Sequence, residues 1–494
     1  MKDKKPLPQA SPESVGIASA DILRFVKKLE DQQLNMHSYL IIRRGKIISE
    51  GYWEPFSEGQ LHRMYSVSKT FASAAIGLLC DEGKIALSDK VIKYFPDKLP
   101  ETVHPYVADM TIRDLLMMAT PYTNQTYGLQ FSDWAWTFFN TQPSHPAGTV
   151  FTYDTSGSFI LDVIVERVTG KPFLSYMRER MLDEIGFSED TWCVKSPEGY
   201  SWGGSGVMCT TRDLAKFALV FLCGGMWNGK RLLSAEYISE ATSRQIDNCI
   251  SGWKNDSTDG YGYGYQIWMT RDGSYSFIGM GDQLAVCISE HDMVFVCTAD
   301  NQGHPNSRSI IYSALWDEII NNISDVPLPE SGDFDLLNKK NLSLKPIPME
   351  CKAEENAAAK INGVKYNLGK SHSCIEWSYI SFDGDGGVWH YKNATGECKI
   401  NFGIGCFREG AFPNPNYFGD TISKPRGRGY RYIANGAWTE SQKFVLRVFI
   451  IDDYFGNMTV TFSYKNDEIS LYMSKTAEWF LDEYQSFAAG IAEK

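Results

Sequence analysis

The order of β-rich and helical patterns over residues 11–320 constrains the fold of this 494-residue chain most strongly. Two β-rich runs flank Arg44-Gly45 and predict a hairpin, and strand patterns return at residues 261–298. The segments between them carry apolar residues at helical spacing, and residues 306–320 predict one more helix. We therefore expect an α+β domain in which helices flank an antiparallel sheet and an all-helical region is inserted.

The composition changes after this part of the chain. Residues 326–350 are rich in Pro, Asp, Lys and Asn, which predicts a linker. Beyond it, short β-rich runs alternate with Gly and Asn turns, and residues 476–488 predict a short helix. We expect three parts: a domain over residues 1–325, the linker, and an antiparallel β-rich accessory domain over residues 351–494.

Charge and cysteine content exclude several classes of protein. The chain has 48 basic and 60 acidic residues, a net charge of −12, which argues against binding to nucleic acid or anionic membranes. Its 11 cysteines are scattered without regular spacing, as reduced thiols are, and the N-terminus lacks the apolar core of a secretion signal. We therefore expect a cytoplasmic protein. The 8 histidines have no metal-ligand spacing, so we expect no metal or other cofactor.

The segment around Ser66 and Lys69 is the strongest candidate for a catalytic site. Small and apolar residues follow it at helical spacing as far as Gly83, so both side chains would share a face at the start of a helix. There a partly desolvated amine can accept the serine proton, and free backbone N–H groups can face an oxyanion. The alternative is an N-cap serine followed by a solvated lysine. The same spacing occurs at Ser251 and Lys254, in a Gly-, Asp- and Asn-rich stretch without helical continuation.

Further motifs, taken together and in order, resemble those of one family. They follow Tyr65-Ser66-Val67-Ser68-Lys69-Thr70-Phe71 and are Thr111-Ile112-Arg113-Asp114-Leu115-Leu116, Pro146-Ala147-Gly148, Phe151-Thr152-Tyr153, Val168-Thr169-Gly170-Lys171, Thr211-Arg212-Asp213-Leu214-Ala215-Lys216-Phe217 and Tyr261-Gly262-Tyr263-Gly264. With them, residues 11–320 resemble the serine β-lactamase-related superfamily. This group includes class C β-lactamases, D-alanyl-D-alanine carboxypeptidases, D-aminopeptidases, family VIII carboxylesterases and 6-aminohexanoate-dimer hydrolases. The resemblance implies a β-lactamase/transpeptidase-like fold.

The resemblance also implies a covalent acyl-enzyme mechanism and the residues that perform it. Ser66 would be the nucleophile, Lys69 would accept its proton, and Tyr153 would relay protons to and from the leaving group. The backbone N–H groups of Ser66 and Gln283 would form the oxyanion hole. For Tyr153 the alternative is a buried tyrosine whose hydroxyl is satisfied within the protein.

Two sites depart from the family motifs and bear on substrate binding. Thr155 stands where relatives often have Asn or Ser, so it keeps a hydroxyl but has no amide. Met280, Gly281 and Asp282 stand at the Lys-Thr-Gly or His-x-Gly motif of relatives. Met280 supplies no positive charge for a substrate carboxylate, and Asp282 would narrow the cleft or meet a substrate ammonium. We predict that these four residues contact the substrate.

The sequence therefore predicts a serine hydrolase that cleaves an ester or amide bond of a small molecule. An ester is the first expectation, because esters need less help to expel the leaving group. A D-amino-acid amidase or aminopeptidase is the alternative enzyme, and β-lactamase activity ranks third. An alternative from another class is a non-catalytic, penicillin-binding-like binding or sensor protein. The sequence leaves open the role of the C-terminal domain and whether the chain forms a homo-oligomer.

Overall fold

The structure is a computed structural model that describes residues 5–249, 258, 260–352, 357–413, 429–452, 454–478 and 481–493. The chain divides into two compact units, Met1–Lys345 and Pro346–Lys494. The second serine–lysine sequence, Ser251 to Lys254, lies outside the described residues.

In the first unit, strands, helices and further strands follow one another in the predicted order, and short strands also lie within the region that the sequence predicts to be all-helical. Its described helices are α1 Ser19–Asp31, α2 Ser68–Asp81, α3 Pro105–Ala108, α4 Ile112–Leu116, α5 Trp134–Asn140, α6 Thr155–Thr169, α7 Phe173–Met177, α8 Thr211–Leu222, α9 Ala235–Ala241, α10 Ser307–Ala314 and α11 Asp333–Asn341. Its described strands are β1 Met36–Arg43, β2 Lys46–Tyr52, β3 His62–Arg63, β4 Trp192–Cys193, β5 Val207–Cys209, β6 Met226–Trp227, β7 Lys230–Arg231, β8 Trp268–Met269, β9 Tyr275–Gly279, β10 Gln283–Ile288 and β11 Met293–Ala299.

The main sheet of this unit is antiparallel and brings the two ends of the unit together. Its strand order is β2-β1-β11-β10-β9-β8, and Tyr39 on β1 lies opposite Cys297 on β11. Both of these strands are buried along their whole length. Helices α1 and α10 pack on one face, and α8 packs on the strands from the other side. The predicted antiparallel sheet with flanking helices is confirmed.

The helical region lies between β3 and β8 and surrounds helix α2. Every residue of α2 from Ser68 to Leu79 is buried, because α6 and α7 pack against it. Helices α4 and α5 in turn contact α6. A helix that is apolar on all sides is expected in such a central position. None of the helices in the described residues is both long and apolar enough to cross a membrane.

The segment 326–350, predicted as a linker, differs from that expectation in the structure. Helix α11 lies within it, and Leu337 on this helix is fully buried in the core that contains α1. Lys340 pairs with Glu30 of α1 at 2.7 Å, and the Tyr39 hydroxyl donates to Asn341 at 2.7 Å. The first unit therefore extends to Lys345.

The second unit is a closed antiparallel sheet with one parallel contact. Its described strands are β12 Tyr366–Leu368, β13 Trp377–Phe382, β14 Gly386–Asn393, β15 Gly396–Ile404, β16 Arg408–Ala411, β17 Arg431–Glu440, β18 Lys443–Ile451, β19 Phe455–Lys465, β20 Glu468–Thr476 and β21 Ser486–Ala492. The strand order is β15-β14-β13-β12-β21-β20-β19-β18-β17-β16, and parallel pairing of β15 with β17 closes the barrel. The helix predicted near residues 476–488 is wrong, because β21 begins at Ser486.

Candidate active site

Ser66 lies on a tight turn that connects strand β3 to helix α2. Met64 N–H donates to Val207 O at 2.9 Å, and Val207 N–H donates to the Ser68 hydroxyl at 3.0 Å, so β5 holds both sides of the turn. Tyr65 has a φ of 46°, in the left-handed region that non-glycine residues rarely adopt. Ser66 is partly exposed, whereas the residues on both sides are buried. The turn therefore presents a single hydroxyl from a buried segment.

The Lys69 amine points at this hydroxyl. Its Nζ lies 2.9 Å from Ser66 Oγ and donates to Gly204 O at 2.6 Å. Lys69 is only 1% exposed, so it is not the solvated lysine of the alternative interpretation. A desolvated amine within hydrogen-bond distance of a serine has the geometry of a general base.

Tyr153 forms a group of three side chains with Ser66 and Lys69. Its hydroxyl hydrogen-bonds with Ser66, and Lys69 Nζ lies 5.1 Å from the centre of its ring. The ring stacks on Trp268 with centroids 5.4 Å apart, which fixes its orientation. Burial raises the pKa of Tyr153 to about 12, and the hydrogen bond from Ser66 and the charge of Arg308 oppose this rise. Tyr153 therefore stays a neutral phenol, able to donate a proton, at neutral pH.

Helix α6 begins at Thr155, two residues after Tyr153, and its N-cap lies near the charge of Lys69. Asp154 is the N-cap: its carboxylate accepts from Ser156 N–H at 2.8 Å and from the Thr120 hydroxyl at 3.0 Å. Burial raises the pKa of Asp154, and the nearby charge of Lys69 opposes this rise. The sequence prediction missed this residue, although an Asp before a helical pattern is an N-cap signal.

Thr155 is the first residue of α6 and packs against the backbone that binds Lys69. A Cβ on Gly204 would lie 2.6 Å from Thr155 Cγ2, so the two residues are in close contact. Thr155 therefore contacts the residue whose carbonyl oxygen accepts a hydrogen bond from Lys69. Its predicted contact with substrate stays a prediction.

The hairpin that joins β9 to β10 lies beside the serine turn. Both strands contact the turn Tyr65–Val67, and a Cβ on Gly279 would lie 2.4 Å from Met64 O. A side chain at position 279 would therefore displace the turn. Gly279 at the end of β9 is therefore the glycine that permits the close approach of this strand to the serine turn.

Gln283 has a structural role in this hairpin. It is 0% exposed, and its side chain donates to Met280 O at 2.9 Å and to Ala299 O at 2.6 Å. Met280 follows Gly279 and is partly exposed. The predicted oxyanion role of Gln283 concerns its backbone N–H and not its side chain, and it stays a prediction.

Asp282 does not present a free carboxylate. It is 2% exposed, accepts from Asn301 Nδ2 at 3.1 Å and lies 3.4 Å from Arg308 Nε. These two groups take up the charge and acceptors of Asp282 inside the protein, which argues against contact with a substrate ammonium. That Asp282 narrows the cleft stays a prediction. Arg308, which the sequence prediction missed, brings a cation close enough to lower the pKa of Tyr153.

These features agree with the comparison to known proteins. A protein-family model described as Beta-lactamase matches residues 24–314. The chain belongs to the β-lactamase family. It is therefore a serine hydrolase of this family, as the resemblance of its motifs implied.

Individual relatives of this β-lactamase-family chain are distant. The 6-aminohexanoate-dimer hydrolase of Paenarthrobacter ureafaciens is 24% identical over 316 residues, which cover 60% of this chain and 74% of that protein. A solved structure from Bacillus anthracis, provisionally described as a 6-aminohexanoate-dimer hydrolase, is 20% identical, covers 64% of this chain and 87% of its own, and has a TM-score of 0.52. One from Bacteroides dorei, provisionally described as a β-lactamase, is 14% identical, covers 61% and 98%, and has a TM-score of 0.50. The two structures share the fold.

Proposed function

We propose that this hydrolase cleaves an ester or amide bond of a small molecule through an acyl-enzyme formed on Ser66. The supporting observation is that Lys69 Nζ lies 2.9 Å from a serine hydroxyl that also hydrogen-bonds with Tyr153. Lys69 takes the hydroxyl proton as Ser66 attacks the carbonyl carbon. Tyr153 delivers a proton to the leaving group as the bond to it breaks. Water then attacks the acyl-enzyme and gives a proton to Tyr153. Ser66 leaves the acyl group and takes back its proton from Lys69.

We propose that the backbone N–H groups of Ser66 and Gln283 form the oxyanion hole. The close contact of Gly279 with Met64 brings the end of β9 against the serine turn. Gln283 is the first residue of β10 and lies directly opposite Gly279, so the same contact brings it to the serine turn. Two backbone donors on rigid elements stabilise the negative charge of the tetrahedral intermediate without reorganisation.

An ester remains the first expected substrate, because an alkoxide leaving group needs less proton donation than an amine. The alternative of a D-amino-acid amidase or aminopeptidase relied on Asp282 to bind a substrate ammonium, and that carboxylate pairs with Arg308. An amide without a free amine near the bond stays open, since a relative is named a hydrolase of 6-aminohexanoate dimer. Arg308 favours substrates that carry a negative charge near the leaving group.

The alternative of a binding or sensor protein would require the serine to be inert. The three side chains expected of a catalyst are all present and in contact, and Lys69 is buried against Ser66. A binding protein gains nothing from a desolvated lysine directed at a hydroxyl, because burial of an amine costs free energy. The geometry therefore favours catalysis.

We also propose that the protein acts in a reducing compartment such as the cytoplasm. All 11 cysteines are free thiols in the structure, including Cys209, Cys287 and Cys297, which are buried in the first unit. Every residue assigned above to the reaction lies in the first compact unit, so we assign catalysis to this unit and an accessory role to the second.

The direct test is labelling of the whole chain with a fluorophosphonate probe, read by intact-mass spectrometry. We expect a single adduct in wild-type protein, located on Ser66 by peptide mapping, and none in Ser66→Ala. Ser73→Ala is the matched control, because it removes another buried hydroxyl of α2, which hydrogen-bonds with the Tyr237 hydroxyl at 3.0 Å. An unlabelled wild-type protein would contradict catalysis and favour the binding interpretation. If the adduct forms on Ser66, hydrolysis of paired ester and amide substrates with the same acyl group decides between the two bond types.

A further inference from the structure

Asp162 on helix α6 is a buried carboxyl group that the reaction above does not use. It is 0% exposed, and neither of its oxygens has a well-formed hydrogen bond to the described residues. Burial of such a group without a partner costs free energy, and folded proteins retain few of these groups.

The carboxyl group fills the space that a side chain at position 203 would need. A Cβ on Gly203 would lie 1.5 Å from Asp162 Oδ2 and 2.4 Å from Oδ1. The Gly203 N–H faces the carboxyl group, at a geometry short of a regular hydrogen bond. The glycine and the acid therefore fit each other, and Asp162 determines how close the loop 201–206 comes to α6.

Other side chains hold the two ends of this loop. Glu166, one turn after Asp162 on α6, accepts from Ser201 N–H at 3.1 Å. Arg63 donates to Ser205 O at 3.0 Å. Between these anchors, Asp162 supports Gly203. The next residue along the loop is Gly204, whose carbonyl oxygen accepts from Lys69 Nζ at 2.6 Å.

We propose that Asp162 is a positioning residue for Lys69, acting through the backbone of Gly203 and Gly204. The carboxyl group sets the height of the loop over α6, and this places the Gly204 carbonyl where it directs the Lys69 amine towards Ser66. The proposal rests on the proposed function, since the position of Lys69 matters only if Ser66 is the nucleophile. A displacement of about 1 Å in a reacting group is enough to cost roughly a hundredfold in rate.

The charge state of Asp162 fits this role. Burial raises the pKa of the carboxyl group well above its usual range, and the neighbouring carboxylate of Glu166 raises it further. The Cys193 thiol faces it from β4, and burial raises the pKa of that thiol as well. Burial and the Glu166 carboxylate both favour the neutral form of Asp162, in which it supports the loop without adding a negative charge.

The experiment compares Asp162→Asn and Asp162→Ala in the full chain. Asparagine keeps the size and the neutral charge, whereas alanine removes the support for Gly203. The measurement is the rate of fluorophosphonate labelling of Ser66 per folded molecule from pH 6 to pH 10. We expect the Asn variant to stay within about threefold of wild type, and the Ala variant to lose at least about tenfold and to shift the pH midpoint of labelling. Asp162→Ser covers the case in which the Ala variant fails to fold, and we expect it to lie between the two.

Asp213→Ala is the matched control, because Asp213 is a buried acid on α8 that binds Ser188 N–H at 3.0 Å, away from Lys69. We expect this control to lower the melting temperature and to leave the labelling rate per folded molecule unchanged. If the Ala and Ser variants of Asp162 label at the wild-type rate and pH midpoint, the positioning role is refuted. Slow labelling of the Asn variant would also refute it, because an uncharged side chain of the same size would then fail to support Gly203. If wild-type Ser66 is itself unreactive, the proposed function fails first.

Discussion

The amine of Lys69 lies 2.9 Å from the hydroxyl of Ser66, and the same amine donates to Gly204 O at 2.6 Å. The first hydrogen bond joins the amine to the proposed nucleophile, and the second holds the amine in this orientation. The lysine is 1% exposed, so water does not compete for either bond. The serine turn, helix α2 and the loop that carries Gly204 must therefore all be in place before the hydroxyl is activated.

The first prediction concerns Lys69→Met, which keeps the length of the side chain and removes the amine. We expect the rate of Ser66 labelling to fall by about 10²–10⁴, because the general base is lost. The melting temperature should stay level or rise, since a buried amine is replaced by an apolar group. Stopped labelling assays and thermal unfolding of the same preparations check both results. A large fall in stability with normal labelling per folded molecule would contradict the role of Lys69 as base.

The second prediction separates the hydroxyl of Tyr153 from its ring. Tyr153→Phe keeps the stack on Trp268 and removes the proton relay. We expect kcat to fall by about 10²-fold for substrates with a poor leaving group, and much less for aryl esters, whose leaving group needs no proton. Steady-state kinetics on an ester series with graded leaving groups check this. Equal losses across the series would contradict proton donation by Tyr153.

The pKa of Tyr153 also predicts the shape of the alkaline pH profile. Burial raises the pKa of Tyr153 from 10.0 to about 12, so the phenol stays protonated well past the point where a free tyrosine ionises. Because the folded state holds this proton more tightly than the unfolded state, its contribution to stability is present below pH 10 and is lost as the pH rises towards 12. We expect the kcat profile to show no fall from Tyr153 below about pH 11. A wild-type fall near pH 10 that Tyr153→Phe lacks would contradict this.

The sequence predicts the contact between Ser66 and Lys69 better than it predicts what surrounds these two residues. Ser66 and Lys69 are local: they are three residues apart in a strong helical pattern, so their contact follows from helix geometry. The contact between the serine turn and Gly279 joins residues that are far apart in the sequence, so it depends on where β9 ends in the fold. The motif in the sequence contains Gly281, and the close approach of Gly279 to Met64 O follows only from the fold.

Elements with an unusual balance of polar and apolar residues were the hardest to predict. Helix α11 has a polar sequence, and one buried residue, Leu337, anchors it. Strand β21 places Phe487 and Ile491 on its exposed side, at 70% and 59% exposure, so the alternation of apolar and polar residues that identifies a half-buried strand is absent. In both cases tertiary contacts decide the structure.

The third prediction tests the approach of β9 to the serine turn through Gly279→Ala. The added Cβ would lie 2.4 Å from Met64 O, so the strand or the turn must move. We expect labelling of Ser66 to fall by about 10²-fold, because the oxyanion donors and the hydroxyl lose their mutual geometry. Gly332→Ala is the control, since a Cβ there meets nothing within 4 Å. Wild-type labelling in Gly279→Ala would remove the support for Gln283 as an oxyanion donor.

The fourth prediction concerns the cation that the structure places near Tyr153. Arg308→Gln removes the charge that lowers the pKa of Tyr153, and it leaves Asp282 with Asn301 as its hydrogen-bond donor. We expect kcat/KM to fall by about tenfold for esters that carry a carboxylate in the leaving group, and by less than about twofold for neutral esters of the same size. Kinetics on such a matched pair of esters check this. Equal effects on both would show that Arg308 supports the hairpin alone.

The last prediction is acid sensitivity from a buried histidine pair next to the serine turn. His37 Nδ1 lies 2.7 Å from His62 Nε2, and both residues are buried. Burial lowers the pKa of His62 from 6.5 to about 3, and burial together with the charge of His62 lowers that of His37. The unfolded chain therefore binds protons below pH 6.5 that the folded chain does not. As the pH is lowered, the free energy of unfolding decreases by about 1.4 kcal/mol per pH unit for each imidazole. Urea unfolding followed by tryptophan fluorescence at pH 7 and pH 5 measures this loss, and His62→Gln should reduce its pH dependence by about half. An unchanged pH dependence in that variant would assign the acid sensitivity to other groups.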